Sequence, residues 1–255
     1  MSALPDERQS CILDRLTRDG RVLAVDLARE FRTSEDTIRR DLRDLAAAGH
    51  CRRVYGGALP VSPASGTLAQ RSATAPDATH ALARAAAALV RTGQVVLIDS
   101  GSTNLRIAEA LPRDLGLTVV TNAPAVATAL CGHPRCTVIL LGGRVHPMIG
   151  AAFGPSALRH LDGIRADIAF LGACGLAPDA GLTVFDAEEA SFKRRLTETS
   201  VRVVAALTTD KLGTAAPFGF ASAARLDDLV IEASTPQSRL HGLDLAGLRL
   251  HRAAP

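Results

Sequence analysis

Apolar residues recur along this chain with two different periods. In the first 58 residues the spacing is helical. Cys11, Ile12 and Leu16 share a face of a helix predicted over 7–16, and residues 25–31 read as a short amphipathic helix. Ile38, Leu42 and Leu45 stripe a third helix that opens at Ser34 and stops at Gly49. Asp19-Gly20 and Arg32-Thr33 mark the turns between them. From residue 95 onward the pattern changes to short continuous apolar runs at 95–98, 117–121, 137–141, 168–171, 201–207 and 229–231. Helical segments alternate with them at 103–111, 124–130, 155–161 and 187–199, after an alanine-rich helix at 78–90. Strands apolar on both faces, alternating with helices, predict an α/β fold: a mostly parallel open sheet covered by helices on both sides. Between the two regions, 59–77 holds Pro60, Pro63 and Pro76 among small polar residues and reads as a linker, with a short ordered stretch near 68–71. The tail from 236 carries a weaker signal, a small edge element within 240–250.

The third helix carries the sharpest chemistry. Ser34 is a good N-cap, and Glu35 and Asp36 place negative charge at the positive end of the helix dipole. Thr37, Arg39, Arg40 and Arg43 lie mostly off the apolar stripe, facing solvent or a polyanion. A short helix, a tight turn and a capped longer helix match a helix-turn-helix whose second helix enters the major groove. Arg52 and Arg53 precede a Val54-Tyr55 pair and the Gly56-Gly57 turn, which fits a basic wing along phosphates. The plain alternative is a three-helix bundle with a solvated arginine face. The ordered succession of cap, stripe, arginine pair, terminating glycine and wing favours double-stranded DNA as partner.

Composition narrows the rest. Twenty-nine basic and 26 acidic residues leave a net charge of +3, so affinity for DNA must come from local placement. Five cysteines lack C-x-x-C spacing and are odd in number, which argues against a disulfide framework or a zinc site; the seven histidines do not cluster with acids or cysteines either. No metal and no cofactor is implied. With neither a leader pattern nor a run long enough to span a bilayer, the expectation is a cytoplasmic protein with no membrane partner.

In open α/β sheets ligands bind beyond the carboxyl ends of the strands. There the sequence places Asp99-Ser100-Gly101-Ser102-Thr103-Asn104, then Thr121-Asn122-Ala123, Gly142-Gly143-Arg144 and Gly172-Ala173-Cys174-Gly175. Glycine, hydroxyls and a helix N-terminus suit a phosphate, and together these ends describe one rim for a small phosphorylated, hydroxylated ligand. The Asp99 carboxylate would repel phosphate and so suits ligand hydroxyls or loop orientation. Glu189 and Lys193, four residues apart on a helix, are either a surface ion pair worth ~0.3–0.5 kcal/mol or a cation over the pocket. Gly142-Gly143 could be a plain turn, and Cys174 a small packed thiol.

The run Ser34-Glu35-Asp36-Thr37-Ile38-Arg39-Arg40-Asp41-Leu42, with Glu7-Arg8, Leu27-Ala28, Phe31, Leu45, Gly49, Arg53 and Gly56-Gly57-Ala58, resembles the winged helix-turn-helix of the DeoR family of bacterial transcriptional regulators. Asp99-Ser100-Gly101-Ser102-Thr103, Val120-Thr121-Asn122, Leu141-Gly142-Gly143, residues 167–172, Glu189 with Lys193, and Lys211 with Gly213 resemble that family's sensor domain. The resemblance implies a fold similar to sugar-phosphate isomerases, a phosphate site at Ser100, Gly101, Ser102 and Thr103, and Asp99, Asn122 and Lys193 facing a sugar. One departure is Thr208, where the family usually carries an aspartate three residues before the lysine; here Asp210 adjoins Lys211.

The expected organisation is a DNA-binding head at 1–58, a linker at 59–77 and an effector-sensing α/β domain at 78–255. The expected function is a ligand-controlled regulator, a repressor of a carbohydrate catabolic operon, acting on operator DNA as a homodimer or homotetramer. The rival reading is a sugar-phosphate-isomerase-like enzyme with a regulatory head, in which Asp99, Glu189 and Lys193 would shuttle protons. A constitutive DNA binder whose second domain only oligomerises is a third.

Overall fold

Three helices and a small antiparallel sheet build the N-terminal head in the computed structural model, which describes residues 5–19, 21–60, 67–73, 76–244 and 246–254. They are α1 (Pro5–Asp19), β1 (Val22–Leu23), α2 (Ala24–Glu30), α3 (Glu35–Ala47), β2 (Cys51–Val54) and β3 (Gly57–Pro60). The predicted apolar stripes do meet: Ile12, Leu16, Leu27, Ile38, Leu42 and Leu45 are buried in one cluster. The wing is the β2–β3 hairpin, with β1 added on the other side of β3. Gly57 is required there, because a Cβ would overlap the Val22 carbonyl. The second wing strand runs through Pro60, so Leu59 and Pro60 belong to the hairpin rather than to the connector expected from residue 59.

The connector carries one short helix, α4 (Leu68–Ser72), fixed by a capping box between Thr67 and Gln70. Residues 61–66 and 74–75 of the expected linker lie outside the described residues.

The larger unit follows as α5 (Pro76–Ala87), β4 (Val95–Ile98), α6 (Ser102–Glu109), β5 (Leu117–Thr121), α7 (Pro124–Leu130) and β6 (Cys136–Leu140). After these come β7 (Arg144–His146), β8 (Ala151–Phe153), α8 (Pro155–Asp162), β9 (Ala166–Leu171), β10 (Gly175–Ala177) and β11 (Gly181–Val184). The chain closes with α9 (Ala187–Glu198), β12 (Ser200–Leu207), β13 (Phe218–Ala221), β14 (Asp228–Glu232) and β15 (Arg249–Ala253). Seven strands form one sheet in the order β15-β14-β12-β9-β4-β5-β6, every neighbouring pair parallel. The apolar runs seen in the sequence are its central strands, with Val96, Ile98, Ile168, Phe170, Val204 and Leu229 all buried. Helix α5 packs on α6 and α6 on α7; α8 packs on α9.

Strand order reverses between β4 and β9: from β4 the chain goes outward to β5 and β6, then returns to the other side of β4. That switch point opens a crevice at the carboxyl ends of the strands. Two small antiparallel additions surround it, the β7–β8 hairpin and the β10-β11-β13 sheet. Neither is legible from periodicity, since strands of three or four residues give too few positions. The tail contributes β15, a true parallel edge strand, anchored by Arg249 and His251 on the buried Asp228.

Candidate functional site

Two candidate sites emerge, the exposed side of α3 in the head and a cavity at the switch point. In α3 the Ser34 Oγ accepts the Thr37 amide at 3.1 Å, so Ser34 is occupied as the N-cap, and its hydroxyl also meets Thr37 Oγ1 at 2.9 Å. Arg40 and Arg43 are exposed. Arg39 is exposed too but is held by Glu35 at 2.5 Å and Asp36 at 3.1 Å, both one turn back. Asp41, between the arginines in sequence, points the opposite way and is buried against Arg8 of α1. That hydrogen-bonded partner raises the Arg8 pKa. In the wing Arg53 is exposed, whereas Arg52 Nη2 donates to the Pro217 carbonyl of the larger unit at 2.9 Å. Arg52 was expected to grip phosphate; here a fixed carbonyl has it.

The cavity holds about 310 Å³ and is lined by Ser100, Gly101, Ser102 and Thr103, the four residues expected to cradle a phosphate. They form the turn from β4 into α6. Gly101 sits at φ +134°, a conformation side chains rarely adopt, and it lets the chain turn directly into the helix so that free amides face the cavity. Asn104 secures the turn by donating to the carbonyls of Asp99, Ser100 and Phe170 at 3.0–3.4 Å. Lys193 lines the same space from α9, with Arg71 from α4 and Lys211 after β12.

Four expected ligand residues stand elsewhere. Asp99 is fully buried and does not line the cavity. Its Oδ2 accepts the Lys193 ammonium and the Gly172 amide, the latter at 3.1 Å. It orients the lysine instead of meeting ligand hydroxyls. Asn122 donates to the Ala152 carbonyl at 3.0 Å and its own carbonyl takes the Ala152 amide at 2.8 Å, pinning β8 to the end of β5. Gly142 and Gly143 pack against α8 and β8; a Cβ on Gly143 would come within 2.8 Å of the Phe153 carbonyl. Both are exposed, and neither lines the cavity.

Glu189 and Lys193 are not a surface pair. Lys193 is buried between Asp99 and Glu189, whose Oε1 lies 3.2 Å from Nζ. Burial pushes the lysine pKa down, but the two carboxylates outweigh it and the net shift is upward, so Lys193 stays charged. Glu189, buried with Asp99 nearby, is raised. Burial lowers Lys211, for which no carboxylate lies at ion-pair distance among the described residues. Burial raises the Cys174 thiol, which keeps it protonated and unreactive. The cavity thus combines helix-end amides, hydroxyls and three cationic side chains with a carboxyl group at Glu189. Such a set has the chemistry to hold an anion and to accept from or donate to hydroxyls. Arg71 escaped the sequence reading because it comes from the connector, far in sequence from the strand ends; Lys211, four residues past β12, entered it only as part of the family pattern, without a ligand role. Among the described residues no group of three or more His, Cys, Asp or Glu is placed to hold a metal ion, and no helix is long and apolar enough to cross a membrane.

Comparison with known proteins covers both units. Residues 8–64 match the family model for the DeoR-like helix-turn-helix domain, and residues 75–233 match that for the DeoR C-terminal sensor domain. The glycerol-3-phosphate regulon repressor of Escherichia coli K12 is 31% identical over 91% of this chain and 92% of its own length. The regulator GlpR of Haloferax volcanii is 31% identical over 96% of each chain, and a putative aga operon repressor of Escherichia coli O157:H7 is 28% identical over 96% of this chain and 92% of its own. Among solved structures, a probable sor operon regulator from Shigella flexneri shares 12% identity over 65% of this chain and 88% of its own, with a TM-score of 0.45. Ribose 5-phosphate isomerase A from Methanocaldococcus jannaschii shares 16% identity over 51% of each chain, with a TM-score of 0.38. The curated relatives are regulators and repressors, which favours regulation over the isomerase-like reading.

Proposed function

This chain belongs to the DeoR family and is a DNA-binding transcriptional regulator, and we propose that it represses a carbohydrate-related operon under control of a small phosphorylated metabolite. The head through Pro60 would read operator DNA, the segment 61–75 would connect, and the unit from Pro76 onward would sense the effector. The observation that carries this reading is the cavity: the Ser100–Thr103 turn and the cations Arg71, Lys193 and Lys211 converge on one space, in a chain that also presents a capped, arginine-bearing recognition helix. A phosphate at the α6 N-terminus would leave the sugar or polyol portion near Glu189 and Lys193. Arg71 matters most for control, because α4 belongs to the connector and its Leu68 amide bonds to the Met148 carbonyl beside the cavity at 3.2 Å. A ligand that draws on Arg71 therefore acts on the connector itself. An effector shifts DNA affinity only if it binds one arrangement better than the other.

One recognition helix reads only a half-site, so the working form is a homodimer or homotetramer with paired helices ~34 Å apart. Its site of action is the cytoplasm, with no cofactor. The test is a fluorescence-anisotropy titration of the protein on its own upstream DNA, challenged with glycerol 3-phosphate and a panel of phosphorylated hexoses. Release by one ester and not by its dephosphorylated form is the expected result; binding to no upstream fragment at moderate salt overturns the reading.

A further inference from the structure

The wing is seated on the sensor unit by contacts that have no part in a free DNA-binding head. Leu59 of β3 is buried with Ala177 and Ala215, and Val54 and Ala180 pack against the same cluster. The Ala215 amide points at the Pro60 carbonyl at 3.5 Å, and Arg52 reaches the Pro217 carbonyl. Beside the same seam, Arg21, which leads into the strand paired with β3, lies near Gly242.

The surface under the wing is also the back of the cavity. Cys174 lines the cavity, and β10, which starts at the next residue, ends at Ala177 under Leu59. Three residues of strand, about 10 Å, separate ligand space from wing. A second route runs in parallel. Lys211 lines the cavity; the Gly213 amide bonds to Leu176 O at 2.8 Å, Thr214 Oγ1 donates to Lys211 O at 2.9 Å, and Ala216 N to Thr183 Oγ1 at 2.9 Å. The segment then presents Ala215 and Pro217 to the wing. Close packing makes such a unit stiff: a Cβ on Gly175 would clash with the Thr214 carbonyl at 2.5 Å.

We infer that Arg52 and Leu59 are positioning residues that latch the wing onto the sensor unit, that the latched form is the DNA-released one, and that β10 with the 211–217 segment carries the cavity's state to the latch. This deepens the proposed function and rests on it. Arg52 illustrates the logic. While its Nη2 serves Pro217, the guanidinium is turned toward the sensor unit; binding along a phosphate requires the wing to unseat. A ligand that draws Lys211 or Cys174 into the arrangement seen here would hold the wing down and release DNA.

A disulfide across the latch tests this in the full-length protein. Pro60 and Ala215 face each other across one backbone hydrogen bond, so the pair Pro60→Cys with Ala215→Cys should close on oxidation. Affinity for the upstream DNA is expected to fall at least tenfold when oxidised and to return with reductant; unchanged affinity in the crosslinked protein overturns the latch. Arg52→Ala, an exposed side chain that does not threaten folding, supplies the second readout. The latch predicts that the phosphate ester releases this variant from DNA less completely than wild type; release as complete as in wild type overturns the assignment of Arg52. Amide exchange in Lys211→Ala tests the relay: faster exchange at Ala215 and Ala216 is expected, and unaltered exchange there removes the cavity from the mechanism. If the wild-type protein binds no upstream fragment, it is the regulatory reading that fails and not the latch.

Discussion

Arg8 and Asp41 meet inside the head, 33 residues apart, with Nε 2.5 Å from Oδ2 and Nη2 3.1 Å from Oδ1. The bidentate pair ties α1 to α3 and buries Asp41 on the side away from the exposed Arg40 and Arg43. Breaking a buried pair strands the surviving charge, so Arg8→Ala is expected to cost about 3–5 kcal/mol of stability. The double variant Arg8→Met with Asp41→Leu should recover most of it. Thermal unfolding followed by circular dichroism checks both; a single variant as stable as wild type contradicts the role assigned to the pair.

The arginines of α3 should not be equivalent. Arg40 and Arg43 are exposed and turned outward, while Arg39 is already neutralised by Glu35 and Asp36. Arg40→Ala and Arg43→Ala are each expected to lower the salt slope of operator binding by about one unit, and Arg39→Ala by less. Equal losses at all three positions would mean that Arg39 leaves its carboxylates on DNA.

At the cavity, Ser102→Asp places a carboxylate where the phosphate would sit. The variant should bind DNA as wild type does and fail to respond to any phosphate ester. A thermal-shift screen gives an independent reading: an ester at a hundred times its dissociation constant adds about 2.7 kcal/mol of stability to wild type and none to the variant. A retained shift would move the ligand elsewhere.

Lys211 makes effector binding pH-dependent. Burial lowers its pKa below 10.5 in the empty cavity, and a bound anion favours the charged form and raises it again. Binding therefore takes up a proton between these two values, and affinity falls as pH rises through that window. Calorimetry of the ester found by the screen, in two buffers of different ionisation enthalpy, should reveal the uptake; Lys211→Met should abolish it.

Asp228 joins the tail to the sheet through Arg202, Arg249 and His251. Burial alone would raise its pKa, but these three partners outweigh that and hold it below the ordinary aspartate value. A depressed carboxyl contributes its stability above the unfolded pKa of about 3.9 and loses it as pH falls below that. Asp228→Asn is expected to cost about 3 kcal/mol near neutral pH. The gap from wild type should close in acid; a gap independent of pH would show packing, not charge, at work.

The amino-acid sequence by itself determined the longer helices and the strands of the seven-stranded sheet, though not the short strands β7, β8, β10, β11 and β13. Ile38, Leu42 and Leu45 could share a face only at helical spacing, and runs such as 168–171 could be covered on both sides only inside a parallel sheet. It also put Ser100, Gly101, Ser102 and Thr103 together as one contiguous stretch at a strand end, and all four line the cavity. Tertiary structure alone decided the partners. Arg71 and Lys211 reach the cavity, Asp99 withdraws behind Lys193, Asn122 turns to β8 and Arg52 turns to Pro217 because of contacts between segments tens of residues apart. Local periodicity records which side of its own element a residue faces; what waits on that side is set by how the elements pack, and the energy of a buried charge depends wholly on that neighbour.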